Sequence, residues 1–189
     1  MPYEPPPALA ALSLGEIAEL VASRKLPPVE GWAPQREGDS EMRIAADGTW
    51  FHRDGEISRP AMVRAFSTLL SRDAVGDGVG GRHWLVSPFE KLAIAVDDAA
   101  FVATDMSIAD GNLAFRLNTD EFVIAGPGHP IRAAGDPETP ALYLMVRRGC
   151  EARLNRSTYE QLIQHALDLG ADPLAVASGG ARFPLVPPP

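Results

Sequence analysis

Arginine is the residue type through which this sequence is best placed to do chemistry. Arg53 and Arg59 lie in the run Asp47–Pro60, DGTWFHRDGEISRP, and Arg147, Arg153 and Arg156 lie in its weaker echo RRGCEARLNRS at Arg147–Ser157. A planar guanidinium grips a phosphate or carboxylate through two parallel N–H donors. Each run places Arg-x-Gly at the end of an apolar or aromatic strand-like segment. Each then reaches a polar residue plus arginine, Ser58-Arg59 or Asn155-Arg156, that opens an amphipathic helix. A helix start at Ser58 or Asn155 adds free N–H groups and a positive dipole end for the same anion. The competing reading pairs these arginines with Glu56, Glu151, Asp97 or Asp98, so that they merely hold two units together. The sequence leaves both open.

Other side chains add weaker options. Trp50 and His52 alternate with Phe51, so they share one face of a strand. On a site-facing strand Trp50 would stack on a base and His52 would hydrogen-bond it; in a core, Trp50 is an aromatic plug. Glu90-Lys91 and Asp97-Asp98 bracket the strand-like Leu92–Val96. Such carboxylates suit a divalent cation or acid–base work, or else a solvated turn and partners for arginine. The histidines His52, His83, His129 and His165 have no metal-ligand spacing, and no DxDxDG or HExxH pattern occurs. Gly76–Gly81 lacks the order of a phosphate loop, there is no GxSxG elbow, and Cys150 is the single cysteine. No catalytic residue, metal or cofactor is expected.

The elements that must position these residues follow from local patterns. Ser13 and Glu16 form a capping box before a short helix carrying Leu14, Ile17, Leu20 and Val21. Met42–Ile44 and Thr49–His52 read as strands about the Asp47-Gly48 turn, and Asp54-Gly55 marks a second tight turn. A helix capped by Ser58, with Pro60 in its first turn, carries Met62, Val63, Phe66, Leu69 and Leu70 inward. Strands are expected at His83–Val86, Leu92–Val96, Phe101–Thr104, Asn112–Leu117, Glu121–Ile124 and Leu142–Val146. A last helix starts near Asn155 and carries Tyr159, Leu162, Ile163, Ala166 and Leu167 toward the core. Counted from Arg59 and Arg156, Met62, Phe66 and Leu70 match Tyr159, Ile163 and Leu167, which suggests a duplication. Residues 1–9 and Gly179–Pro189 read as proline-rich, extended or disordered ends.

Composition narrows the function classes. The 189 residues are 46% hydrophobic and 22% charged, which suits a globular core. A net charge of −8 disfavours a nucleic-acid polymer, which needs a basic field, and leaves a small anion allowed. No disulfide framework and no membrane span are expected, which points to the cytoplasm.

Taken in order, GTWFHRDGEISRP, the helix with Phe66, LVSPFEKLAIAVDDAAF, LAFRLNTDE and YLMVRRGCEARLNRSTYEQL resemble the bacterial domain-of-unknown-function 1285 family, from about Asp47 to Leu167. The resemblance implies an α+β protein of two repeated strand-plus-helix units, the second like a small pleckstrin-homology-like barrel with a C-terminal helix. It also implies a nucleotide-based small-molecule site between the units and a role in signalling. Family members commonly carry Thr-Pro before Glu-Lys and a proline after Asp-Asp; here Ser87-Pro88-Phe89-Glu90-Lys91 keeps the hydroxyl, and Asp97–Phe101 lacks the proline.

The expected organisation is a tail, helix and linker over residues 1–40, one unit over 41–87, a second over 88–170, and a proline-rich tail over 171–189. The expected function is binding of a nucleotide-based or other anionic small molecule, with a signalling protein as partner. Trp50, His52, Arg53, Arg59, Glu90, Lys91, Arg147, Glu151, Arg153 and Arg156 are the expected ligand-binding residues. Two alternatives stand beside it: a divalent-cation-dependent hydrolase or phosphotransferase using Asp97, Asp98 or Glu90, and a protein–protein adaptor.

Overall fold

The computed structural model describes residues 8–74 and 81–188. The fold is α+β, with two similar halves that each carry a curled six-stranded sheet and few helices. The chain divides into two compact units. The first comprises Lys25–Phe101 and Arg147–Cys150; the second comprises Val102–Val146, Glu151–Pro189 and the described residues of Met1–Arg24.

A helix, α1 (Leu14–Ser23), comes first and belongs to the second unit. Ser13 and Glu16 form the expected capping box, and Ile17 packs with Leu9, Ala114 and Phe122. The first unit's sheet contains β1 (Arg36–Ile44), β2 (Trp50–His52), β3 (Gly55–Glu56), β4 (Leu70–Arg72), β5 (His83–Val86) and β6 (Glu90–Val96). Its order is β3-β2-β1-β6-β5-β4. The Asp47-Gly48 turn makes the expected β1–β2 hairpin, with Gly48 at φ 86 and Asp47 Oδ1 accepting from the Thr49 amide at 2.9 Å. Register pairs Met42 with His52 and Ile44 with Trp50, so all four share a face.

β1 and β6, first and last in this sheet, run parallel. β1 starts at Arg36, inside what the sequence reads as a linker. Residues 36–39 are exposed and polar, so they carry no apolar alternation; β6 recruits them through backbone pairing from Arg36↔Glu90 to Asp39↔Ala93. Between Asp39 and Arg43 the strand bulges: β1 advances four residues while β6 advances two, from Ala93 to Ala95. Glu41 sits in the bulge at φ 54. The Ser40 hydroxyl pins it, donating to the Ala93 carbonyl at 2.7 Å and accepting from the Met42 amide at 3.1 Å.

A second helix, α2 (Pro60–Ser67), joins β3 to β4. Arg59, not Ser58, holds its N-cap position, with no side-chain cap. The physical reason is Pro60, which disfavours helical geometry in the residue before it and leaves Arg59 extended at φ −88 and ψ 108. The helix stops short of Leu69 and Leu70, because Leu70 pairs with Leu85 in β4–β5.

The second unit's sheet holds β7 (Phe101–Ala109), β8 (Asn112–Leu117), β9 (Phe122–Ile124), β10 (Ile131–Ala134), β11 (Ala141–Arg147) and β12 (Cys150–Leu154), in the order β10-β11-β12-β7-β8-β9. Numbered within each half, both sheets read 3-2-1-6-5-4. That shared order fixes the register of the duplication, and it is not the register of the Arg-x-Gly echo. The matching hairpins join the first strand to the second in each half: Ile44-Ala45-Ala46-Asp47-Gly48 and Ile108-Ala109-Asp110-Gly111, with Gly111 at φ 74. The Arg53-Asp54 bend joins strands two and three, whereas the Arg148-Gly149 bend joins strands five and six.

A third helix, α3 (Arg156–Leu169), follows the sixth strand and has no counterpart in α2's place. Asn155 caps it, accepting from the Thr158 amide at 2.9 Å. Thr158, Leu162 and Ala166 are buried, but Leu167 is 57% exposed, so its match to buried Leu70 reflects shared amphipathicity alone.

The expected disordered tail is instead a hairpin of β13 (Ala175–Ser178) and β14 (Ala181–Pro184). Gly179 and Gly180 both have positive φ and form its two-residue turn. Ser178 is buried, accepts from the Leu113 amide at 2.9 Å and donates to the Ala125 carbonyl at 2.7 Å. The expected division between residues 87 and 88 falls between β5 and β6, which pair as Val86↔Lys91. Of the loop Gly76–Gly81, only Gly81 lies within the described residues. Among the described residues no helix is long and apolar enough to cross a membrane.

A Cβ at Gly179 would lie 3.0 Å from the Ala125 carbonyl oxygen and 3.0 Å from the Gly126 Cα, with φ at 58. Gly179→Ala therefore destabilises the protein by about 1–3 kcal/mol in chemical denaturation. Gly180→Ala, at φ 78 with open space around it, costs less.

Candidate functional site

The face that Met42, Ile44, Trp50 and His52 share is the face where a cavity forms. A void of about 630 Å³ lies within the first unit, against β1, β5, β6 and α2. Its size falls in the range of small-molecule sites, roughly 300–1,000 Å³. Met42, Leu92 and Leu85 form its floor, and Met62, Phe66 and Leu69 its roof. The segment from Gly55 to Arg59, Ser87 and Glu90 complete the lining. Ser40 and Met42, on either side of Glu41 in the β1 bulge, both line the cavity.

Trp50 lies behind this lining. It is 1% exposed and stacks on Phe66, ring centroids 6.4 Å apart and planes inclined by 18°. Its indole N–H has no hydrogen-bond partner among the described residues. Trp50 thus takes the role of aromatic plug. His52, two residues on, is exposed and lines the cavity.

The cavity's polar groups divide. Ser40 and Ser87 are hydrogen-bonded within the unit, whereas His52, Glu56, Ser58, Arg59 and Glu90 line the cavity with no side-chain hydrogen-bond or ion-pair partner among the described residues. Several charges elsewhere in the unit are paired. Arg43 bonds Asp97 at 2.5 Å and lies over Phe51; Arg53 bonds Glu41 at 2.8 Å; Lys91 bonds Asp73 at 3.1 Å and lies over Trp84. Trp84 Nε1 and Lys91 together hold the Asp73 carboxyl below its ordinary range.

Of the expected ligand residues, the structure therefore brings His52, Arg59 and Glu90 to one cavity. Arg53 sits at φ 54 in the β2–β3 turn with its guanidinium on Glu41. Lys91 alternates with Glu90 and faces the other side of β6, which Val29 and Trp84 cover with Trp32. Glu151, Arg153 and Arg156 belong to the second unit. Glu151 takes a bidentate pair from Arg132 at 2.5 and 2.6 Å, Arg153 donates to the Tyr143 hydroxyl at 3.3 Å, and Arg156 is an exposed partner of Glu160.

Arg147 is half-buried. Its guanidinium stacks over Phe101 and donates to the Ser67 carbonyl at 2.9 Å, and desolvation pushes its pKa down to about 10. Arg148 beside it donates to the carbonyls of Thr68 and Pro27, each at 2.9 Å, and to Glu30 at 2.7 Å. Ser67 and Thr68 are the C-terminal residues of α2, so the two arginines satisfy carbonyls that a helix end leaves without amide partners. Sequence reasoning passed over Arg148, and its φ of 47 before Gly149 at 74 marks the two-residue turn that places it.

The acidic residues are dispersed. Glu90 lines the cavity, while Asp97 lies beyond the other end of the seven-residue β6, roughly 20 Å along the strand, and bonds Arg43. Among the described residues no three His, Cys, Asp or Glu side chains gather as a metal site.

These features define a tandem-duplicated α+β protein with two half-barrel sheets of one strand order and an open cavity on the first. The chain belongs to the DUF1285 family: residues 27–99 match the family's N-terminal domain and 100–185 its C-terminal domain, each described as a domain or protein of unknown function. It is similar to the crystal structure of a DUF1285 family protein from Silicibacter pomeroyi DSS-3, with 39% identity, a TM-score of 0.72, and 94% of this chain and 96% of that one covered. A DUF1285 family protein from Shewanella baltica OS155 shares the fold at 20% identity and a TM-score of 0.52, covering 65% of this chain and 90% of that one. No curated protein matches the chain.

Two outcomes follow from the geometry. Trp50→Phe keeps the stack and removes an unsatisfied buried donor, so its unfolding free energy stays within about 1 kcal/mol of the parent. Trp50→Ala loses about 3–5 kcal/mol. At the helix end, Arg148 lowers the pKa of Glu30. A depressed carboxyl adds stability above its unfolded pKa and loses it as pH falls through the folded value. Arg148→Ala is thus less stable at neutral pH, and the gap from the parent narrows on acidification through the carboxylate range, read by denaturant titration at each pH.

Proposed function

We propose that the protein binds a small amphipathic anion in the first unit's cavity, its apolar or ring-bearing body on the floor and its anionic group at Arg59. The observation that carries this reading is the contrast between the cavity and its surroundings. An apolar lining carries His52, Glu56, Ser58, Arg59 and Glu90, whose side chains have no partners among the described residues, whereas Arg43, Arg53, Arg147 and Arg148 of the same unit are engaged. Unengaged polar groups beside an apolar void are what a ligand site needs, because the ligand supplies the missing partners without breaking existing ones.

Arg59 suits the anion. It holds the N-cap position of α2 without capping it, and it is exposed and unpaired among the described residues. A guanidinium there meets carboxylate or phosphate through two donors. A nucleoside monophosphate fits this description, its base between the apolar floor and Phe66 and its phosphate at Arg59. A medium-chain carboxylate fits it as well.

Ligand that binds only the folded state raises the melting temperature. Thermal-shift measurements with nucleoside monophosphates and with octanoate are expected to show saturable stabilisation by at least one class, lost in Arg59→Gln. A flat response to both classes in the parent protein overturns the reading.

A further inference from the structure

Glu90 sets a condition on the ligand that Arg59 alone does not. On β6, Glu90 shares a face with Leu92 and Ile94, so its carboxylate lies on the cavity side, while Lys91 alternates to the other side and is occupied by Asp73. Glu90 is half-buried and has no side-chain partner among the described residues. A carboxylate is an acceptor only, so a ligand of purely apolar and anionic character would leave it unsatisfied and repelled.

Three charged side chains line the void, and they come from separate elements. Arg59 holds the N-cap position of α2, with the exposed Glu56 of β3 three residues before it, and Glu90 stands at the start of β6. Met42, Leu92 and Phe66 supply apolar lining of the same void. Near Glu90 the Ser87 hydroxyl is already committed to the Phe89 and Glu90 amides and the Glu90 carbonyl, so the free acceptor there is the carboxylate.

We propose that the cavity's ligand is bipolar: an apolar body with a basic, multiply N–H-donating group at one end for Glu90 and an acidic group at the other for Arg59. This rests on the small-molecule reading above and narrows its ligand class. An ω-amino carboxylate is the simplest molecule of that form.

Titration calorimetry on the full chain with octanoate, octylammonium and 8-aminooctanoate separates the two claims. The bipolar ligand is expected to bind about tenfold or more tightly than octanoate, as a hydrogen bond to a charged group in a half-buried site warrants. Glu90→Gln, which keeps the shape and removes the charge, is expected to erase that preference while leaving octanoate affinity equal or improved. Arg59→Gln is expected to erase the preference of 8-aminooctanoate over octylammonium. If octanoate binds the parent as tightly as 8-aminooctanoate, or if Glu90→Gln leaves the preference intact, the bipolar assignment is wrong and the cavity reading stands. If none of the three binds, nor any nucleoside monophosphate, the cavity reading itself falls, and the assignment with it. Circular dichroism and melting temperature of each variant establish that a lost signal is not lost folding.

Discussion

The first unit depends on the pairing of β1 with β6. These are the first and last strands of the half, they run parallel, and their contact joins two three-stranded meanders into one six-stranded sheet. Parallel neighbours need a crossover rather than a tight turn, and here α2 and four further strands, β2 to β5, lie between them in the chain. Because the pairing is long-range, its geometry is fixed only once the intervening chain has folded. The bulge interrupts that pairing between Asp39 and Arg43, and the Ser40 hydroxyl bonds across it to the Ala93 carbonyl and within it to the Met42 amide.

Electrostatics in this unit follow a division of labour. Arg43, Arg53 and Lys91 meet single carboxylates at exposed or half-exposed positions, interactions worth little in water. Arg147 and Arg148 are half-buried and donate to main-chain carbonyls at the end of α2. There the planar fork of arginine matters more than its charge, since it fills acceptors fixed in direction by the helix. Arg59 and Glu90 belong to neither group, which is why the cavity they line reads as a site.

Much of the local structure was legible. Asp47-Gly48, the Ser13–Glu16 capping box, the Asn155 cap and the strands His83–Val86 and Asn112–Leu117 all stand where short-range rules put them. The duplication was legible too, although in the wrong register. Arg-x-Gly is conspicuous, yet it marks the bends after the second strand in one half and the fifth in the other. The quieter Ile-Ala-Asp-Gly pair marks the same hairpin in both. Conspicuous side chains drew attention to the surface of the turns, whereas glycine conformation at the turn records topology. His52, Arg59 and Glu90 were named from sequence; their separation from Arg53, Arg147, Glu151, Arg153 and Arg156 was not, because ion pairs form between residues far apart in the chain.

Alone, the sequence determined the elements whose causes are local: caps, Asp-Gly hairpins, the helix start forced by Pro60, an apolar stripe on α2 and α3. Tertiary structure decided the rest. It drew the polar stretch before Met42 into β1 through backbone pairing that no side-chain pattern announces, and turned a proline-rich tail into a hairpin around buried Ser178. It also assigned each arginine its partner. A guanidinium's inventory of donors is a property of the residue, but whether those donors meet a carboxylate, a helix end or an open cavity depends on which strands become neighbours.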